Sequence, residues 1–269
     1  MDLITVRETR VALTQADLVF GTGETPLGGG TWLFSEPQPG LTGLVDLTRM
    51  PWPQVTRTDP PVAGSAVAPG VISIAGTCPI AVVRELPDSP LFQQCADSLL
   101  ASWKILSVAT VAGNIATSLP AGPMTSLAVA LDATLLLWTR DGQRRVPAAG
   151  FVTGVQANIL EPGEVIRAID IPVSSLHRAA FRRIALSPLG RTGTLVIGRV
   201  DATGQSVFTV SGGTTHPHQL RFATLPAAAQ LEAAVDAIDD WYDDAHGAPD
   251  WRQAMSRRFA LELHEELCA

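Results

Sequence analysis

The period of the apolar positions changes several times along the chain, and each change marks a predicted element. A short apolar run, Leu44-Val45-Asp46-Leu47, follows the turn-rich stretch GTGETPLGGGTWLF at residues 21–34. Residues 71–75 and 133–139 read as strands, alternating or continuous in apolar character. The second of these meets residues 144–146 across Asp141-Gly142, a hairpin signal. Between the two strands a helix is predicted from Pro90 to about Ile105. Ser89 serves as its N-cap, Pro90 takes the first helical position, and Leu91, Cys95, Leu99 and Trp103 recur at helical spacing. Further strands at 194–200 and 206–210 flank the turn 201–204. Two helices close the chain. One carries Leu231, Val235, Ile238 and Trp241 or Tyr242 on one face, and the other carries Met255, Phe259, Leu263 and Leu267 at four-residue steps.

These elements group into an α+β protein in three modules, residues 1–56, 57–174 and 175–269. A Pro/Gly-rich stretch at 56–70 reads as a linker or long loop. No internal repeat or low-complexity tract interrupts them. With 46% hydrophobic and 17% charged residues in 269, the composition is that of an ordinary globular chain with a large core. The net charge of −7 argues against a nucleic-acid or anionic-membrane partner, and Arg182-Arg183 and Arg257-Arg258 are too short to reverse it. No apolar run reaches the ~18–20 residues of a membrane span, and the first residues lack a signal-peptide pattern. Cys78, Cys95 and Cys268 are far apart and odd in number, which reads as buried free thiols. A cytoplasmic setting is expected.

Two glycine-bearing stretches are candidates for chemistry. Gly28-Gly29-Gly30-Thr31 can turn successive backbone N–H groups into one concavity that suits a phosphate, or it can be a plain surface turn. SVATVAGNIATSLPAGP at 107–123 reads as a loop. It offers a hydroxyl at Thr110, exposed amides and the Asn114 carboxamide, or it is a packed crossover. Two such loops together suggest a diphosphate. A Walker loop is absent. Gly21 and Gly23 lack the third glycine of a Rossmann fingerprint, and Pro26 sits where its helix should run. His216 and His218 fall in a turn and the other histidines stand alone, so no metal site is expected. No GxSxG elbow is present. Asp239-Asp240 and Asp243-Asp244 read as a solvated face.

Taken in order, these motifs resemble one family, the FAD-binding medium subunits of the molybdenum hydroxylases, which include xanthine dehydrogenase and CO dehydrogenase. Leu27-Gly28-Gly29-Gly30-Thr31-Trp32-Leu33 stands for the family's AGGTxL, followed by Val45-Asp46-Leu47. Ala109-Thr110-Val111-Ala112-Gly113-Asn114 stands for ATxGGN. ALDA at 130–133, Arg145-Val146-Pro147, EPGEVIRAIDIP at 161–172, Phe181-Arg182-Arg183 and the closing DAHGAPDWRQAMSRRFALELHEEL keep the family's order.

The resemblance implies a PCMH-type FAD-binding fold of two α/β subdomains, the second with a mixed sheet. A C-terminal antiparallel sheet with helices would follow, as in the CO dehydrogenase flavoprotein. It implies FAD in the cleft between them, with Pro26, Leu27, Gly28, Gly29, Gly30, Thr31, Trp32 and Leu33 on one side and Thr110, Val111, Ala112, Gly113 and Asn114 on the other. Ile166 would lie near the adenine and Arg183 near the flavin. Electrons would come from an iron–sulfur small subunit paired with a molybdopterin-binding large subunit and pass to NAD or another acceptor. The family's protein residues perform no bond chemistry on substrate, so no catalytic residue is expected. The chain departs from the pattern at Leu106, where the family often has a cation, and at Ala112, where it has glycine with freer backbone. It departs again at Pro123, where an aspartate is expected on the ribose. A second reading keeps the fold as a non-flavin scaffold of the same kind of complex.

Overall fold

The computed structural model describes residues 3–58 and 70–269. Three sheets follow one another along the chain. In the first, β1 (Glu8–Val11), β2 (Glu24–Leu27) and β3 (Gly43–Asp46) pair in parallel in the order β1-β3-β2. Central β3 is buried at Gly43, Leu44 and Val45, as its continuous apolar run requires. Sequence reading took residues 21–34 as turn-rich and missed β2. Its Pro26 is tolerated because an edge strand leaves one row of N–H groups unpaired in any case.

The second sheet joins β4 (Val55–Thr58), β5 (Val71–Ala75), β6 (Thr134–Trp138), β7 (Gln143–Pro147) and β10 (Val165–Pro172) in the order β4-β5-β10-β6-β7. Every pair is antiparallel, so the expected mixed sheet is not what forms. The predicted linker is corrected at its start. Thr56, Arg57 and Thr58 pair with Ser73, Ile72 and Val71; residues 59–69 of that stretch lie outside the described residues. Central β10 buries Val165, Ile166, Ala168, Ile169 and Ile171. A bulge between Ile166 and Ala168 re-aims Arg167, whose guanidinium lies 4.5 Å over the Trp52 ring and 5.3 Å over Trp138. A small ribbon of β8 (Val152–Gly154) and β9 (Ala157–Asn158) precedes it.

Between β5 and β6 the chain forms α1 (Ile80–Arg84), α2 (Pro90–Asp97), α3 (Trp103–Leu106), α4 (Val111–Thr117) and α5 (Pro123–Ala130). The single helix expected from Pro90 to Ile105 is therefore broken. It starts as predicted, with Ser89 Oγ accepting from the Leu91 amide at 3.3 Å. It stops at Asp97, where Ser98 Oγ donates back to the Cys95 carbonyl at 2.7 Å and Leu100 turns left-handed at φ 53°. Trp103 consequently leaves the Leu91–Cys95 face and is 73% exposed.

The third sheet is an antiparallel meander of β11 (Arg178–Ile184), β12 (Thr194–Val200), β13 (Ser206–Ser211) and β14 (His218–Phe222). Helices α6 (Ala228–Asp236) and α7 (Pro249–Cys268) cover one face, with Leu231, Val235, Phe259, Leu263 and Leu267 against Val196, Phe208 and Val210. Ile238 and Trp241 continue that packing beyond the end of α6. Met255 is only half-buried, and Cys268 is exposed at the end of α7, unlike buried Cys78 and Cys95. Burial pushes the Cys78 thiol up to about 12.

Helix α5 joins the second and third sheets. All eight of its residues are buried, which suits a helix that is apolar around its circumference. Its last carbonyls are taken by the third sheet. Arg199 Nε donates to Ala130 O at 2.6 Å, Gln219 donates to Val129 O, and the hydroxyls of Ser126 and Ser211 meet at 2.8 Å. A cation at a helix C-terminus is favourable there, and Arg199 also pairs with Asp132.

Candidate functional site

After Leu27 the chain leaves β2 through three glycines and enters a single helical turn, closed by Phe34 N–H donating to Gly30 O at 2.8 Å. Gly30 adopts φ +69°, which favours glycine. The consequence is electrostatic. The backbone N–H groups of Gly28, Gly29, Gly30, Thr31, Trp32 and Leu33 have no acceptor among the described residues. The turn leans directly on the second stretch. A Cβ on Gly29 would lie 1.8 Å from the Val108 carbonyl oxygen, and one on Gly28 would lie 2.6 Å from Thr110 Oγ1.

The second stretch is not the loop expected from its sequence. Thr110 is the N-cap of α4, its Oγ1 accepting from Gly113 N–H at 3.1 Å, and residues 111–117 are helical. Small residues here serve close packing. Val111 N–H donates to Cys78 O at 3.0 Å, Ala112 N–H to Gly76 O at 3.0 Å, and Asn114 N–H to Thr110 O at 3.0 Å. The backbone donors at the start of α4 are thus already occupied. Ala112 is not at positive φ, so the glycine that it replaces is not needed for backbone freedom. Its methyl lies 3.1 Å from the place of a Cβ on Gly76. Asn114 Oδ1 accepts from Met124 N–H at 3.0 Å and so caps α5, whose own N-cap, Gly122, has no side chain. Pro123 is buried at the first turn of α5, where its fixed φ is favourable. Leu106 packs on the main core.

Ile166 is buried in that same core, and its carbonyl lies 2.0 Å from the position of a Cβ on Gly76. It therefore sits behind α4 rather than on the open face. Arg183 lies on β11 of the third sheet. Its guanidinium donates to Thr192 Oγ1 at 2.7 Å and to Gly190 O, and burial lowers its pKa. Thr192 lines a small cavity of about 40 Å³ together with Leu119, Pro120, Ala121, Arg191 and Arg252, between the start of α5 and the third sheet. Pro26 lines a second, open cavity of about 260 Å³ with Phe20, Gly21, Glu24 and Pro162-Gly163-Glu164. Glu164 anchors that wall through Arg144, with Nε–Oε1 and Nη2–Oε2 both at 2.6 Å.

Two polar expectations are corrected. His216 and His218, expected to form no metal-type cluster, do have a carboxylate partner, because Asp240 reaches both, at 2.9 Å from His216 Nδ1 and 2.5 Å from His218 Nε2. Asp240 and Asp244 are half-buried and paired rather than freely solvated, Asp244 with Arg252, which is 1% exposed, whereas Asp239 and Asp243 are exposed as expected. The signal in the sequence was the His-Pro-His spacing, and its carboxylate partner is supplied only by tertiary structure.

A turn whose amides meet no acceptor among the described residues, backed by a tightly packed helix and outside any Rossmann or Walker framework, is chemically suited to an anionic, phosphate-bearing ligand. The comparisons specify that class. A family model described as the FAD binding domain in molybdopterin dehydrogenase matches residues 64–174. The carbon monoxide dehydrogenase medium chain of Hydrogenophaga pseudoflava is 30% identical over 241 residues, 83% of this chain and 79% of that one. Xanthine dehydrogenase/oxidase of Gallus gallus is 32% identical over 112 residues, 38% of this chain and 8% of that one. Among solved structures, reconstituted CO dehydrogenase from Oligotropha carboxidovorans superposes with TM-score 0.83 at 20% identity, covering 98% of each chain. Quinoline 2-oxidoreductase from Pseudomonas putida 86 superposes with TM-score 0.81 at 18% identity, covering 99% of this chain and 98% of that one. The chain belongs to the FAD-binding medium subunits of the molybdenum hydroxylase family, oxidoreductase subunits whose cofactor is FAD. Among the described residues no helix is long and apolar enough to cross a membrane.

Proposed function

We propose that this chain is the flavin relay of a heteromeric cytoplasmic dehydrogenase. In this reading it takes electrons from iron–sulfur clusters on a small subunit, served by a molybdopterin-binding large subunit, and passes them to NAD or another acceptor. The observation that carries the reading is the run of six amides from Gly28 to Leu33 that meet no acceptor among the described residues. Such donors suit the two negatively charged phosphates of FAD without any cationic side chain. Bound FAD supplies the redox chemistry, and the protein supplies position and electrostatics.

Within this reading Pro26 to Leu33 contact the diphosphate and adjoining sugar. Thr110 to Asn114 act mainly from behind. The Thr110 cap and the Ala112–Gly76 contact hold Val108 to Thr110 rigid against the glycines. Ile166 fixes the rear of α4 on the adenine side. Arg183 serves the flavin end, its Nε and Nη2 fixed by two structural bonds and its Nη1 without a partner among the described residues. The apolar groups exposed beside the cradle, Trp103, Ile105 and Val108, suit coverage by a partner subunit.

The test is purification of the chain with whatever chains accompany it, followed by anaerobic reduction of the complex and addition of acceptors. The reading expects an iron–sulfur chain and a molybdopterin chain at equal stoichiometry, and a flavin absorbance band that returns on adding NAD⁺ or another acceptor. A chain that purifies alone, or a flavin that substrate never bleaches in the complex, would overturn the relay.

A further inference from the structure

The start of β14 carries a side-chain cluster for which the flavin relay has no use. The geometry points to a binding site for a divalent transition-metal ion, zinc(II) by its donor chemistry, formed by His216 Nδ1, His218 Nε2 and a carboxylate oxygen of Asp240, with one position open to water.

His216 and His218 flank Pro217 where the bend at residues 215–216 enters β14, and their imidazoles lie side by side. Their ring centroids are 4.4 Å apart. Asp240 is brought across by backbone pairing. Thr215 N–H donates to Asp240 O at 3.1 Å, Tyr242 N–H donates to Gly213 O at 2.9 Å, and Thr214 and Trp241 form an antiparallel bridge between them. The Trp241 indole fastens the segment further by donating to Ile238 O at 2.7 Å. The carboxylate is itself oriented, since Thr215 donates to one of its oxygens through the amide at 3.2 Å and through the hydroxyl. Metal-ligating carboxylates characteristically carry such outer hydrogen bonds.

The three ligand atoms lie within 4.8 Å of one another. Ligands about 2.0–2.1 Å from a tetrahedral zinc stand roughly 3.3 Å apart, so the present contacts of 2.5 and 2.9 Å need open by less than about 1 Å. Side chains that are 37%, 23% and 21% exposed have room for that movement. Two imidazole nitrogens with one carboxylate favour zinc and its neighbours over magnesium or calcium, which prefer all-oxygen shells. Solvent reaches the site, so water can complete the coordination. A bound ion would tie the edge strand β14 to the segment leading into α7.

The test uses the full FAD-loaded chain, cleared of metal with a chelator and titrated first with Co²⁺ and then with Zn²⁺. We expect one equivalent of Co²⁺ to give a visible ligand-field band that one equivalent of Zn²⁺ abolishes. Asp240→Asn and His216→Gln should each weaken binding by roughly tenfold or more, and Thr215→Val by about tenfold. Retained FAD and an unchanged metal-free melting temperature identify folded variants. His216 is exposed enough that its substitution leaves the fold intact. Binding no tighter than millimolar, or affinity that persists in folded His216→Gln, would overturn the assignment and leave the cluster as hydrogen bonding alone.

Discussion

The stretches around Gly28 and around Gly113 look alike in sequence, since both are small, uncharged and threonine-bearing. In the fold they do opposite things. Between Gly28 and Leu33 six backbone donors have no acceptor among the described residues. At the start of α4 the donors of Val111, Ala112, Gly113 and Asn114 all find acceptors within the chain. Lack of side chain serves ligand access in the first case and backbone-to-backbone packing in the second. The two are also mechanically linked, because Gly29 can rest on the Val108 carbonyl only while it carries no Cβ.

The comparison breaks most sharply with the same substitution on its two sides. Gly29→Ala places a methyl 1.8 Å from a backbone oxygen that cannot swing away, so the turn must lift and its amides diverge. FAD affinity is expected to fall about a hundredfold, near 3 kcal/mol, by fluorescence titration. Gly76→Ala meets the Ile166 carbonyl at 2.0 Å and the Ala112 methyl at 3.1 Å. It should cost about 2–3 kcal/mol of stability in urea unfolding, while the folded fraction keeps its FAD affinity. Equal loss of affinity in both variants would erase the distinction.

A third prediction concerns the wall facing Pro26. The two Arg144 hydrogen bonds, outweighing burial, hold the Glu164 carboxyl below its ordinary 4.5. A depressed carboxyl stabilises the fold above the unfolded-state value and loses that contribution as pH falls through the lower folded value. Arg144→Met should therefore cost about 1–2 kcal/mol at neutral pH, discounted because Arg144 is partly exposed. The cost should shrink as the pH is lowered from neutral below 4.5 towards that depressed value. Melting temperatures of the two proteins that run parallel across that range would refute the ion pair's part.

The strands at 71–75 and 194–200 are legible because Val, Ile and Leu dominate them, around Ser73 in the first and at Leu195-Val196-Ile197 in the second, and the hairpin at Asp141-Gly142 because local turn chemistry fixes it. The order of motifs pointed to FAD. What could not be read was whether an amide is free. Thr110-Val-Ala-Gly-Asn carries no mark that Cys78 and Gly76 will supply acceptors from 33 and 36 residues upstream. Nor does Asp240 announce that a β-bridge will deliver it to His216 and His218. Strand β2 was hidden by Pro26, which is permitted only because the strand lies at a sheet edge. In each case local composition was read correctly, but the partner that decides its role lies elsewhere in the chain.

The smallest expected effect tests the comparison most finely. Ala112 stands where the ATxGGN motif that the chain resembles has glycine, and its methyl would hinder a phosphate only if α4's first turn faced the cofactor. Its amide instead donates to Gly76 O at 3.0 Å, and its methyl lies towards Gly76. Ala112→Gly restores the family's residue yet removes that contact and loosens a helical position. It should lower stability by about 0.5–1 kcal/mol and leave FAD affinity unchanged. A tenfold gain in affinity would place the first turn of α4 against the diphosphate, and the two stretches would then be alike in structure as well as in sequence.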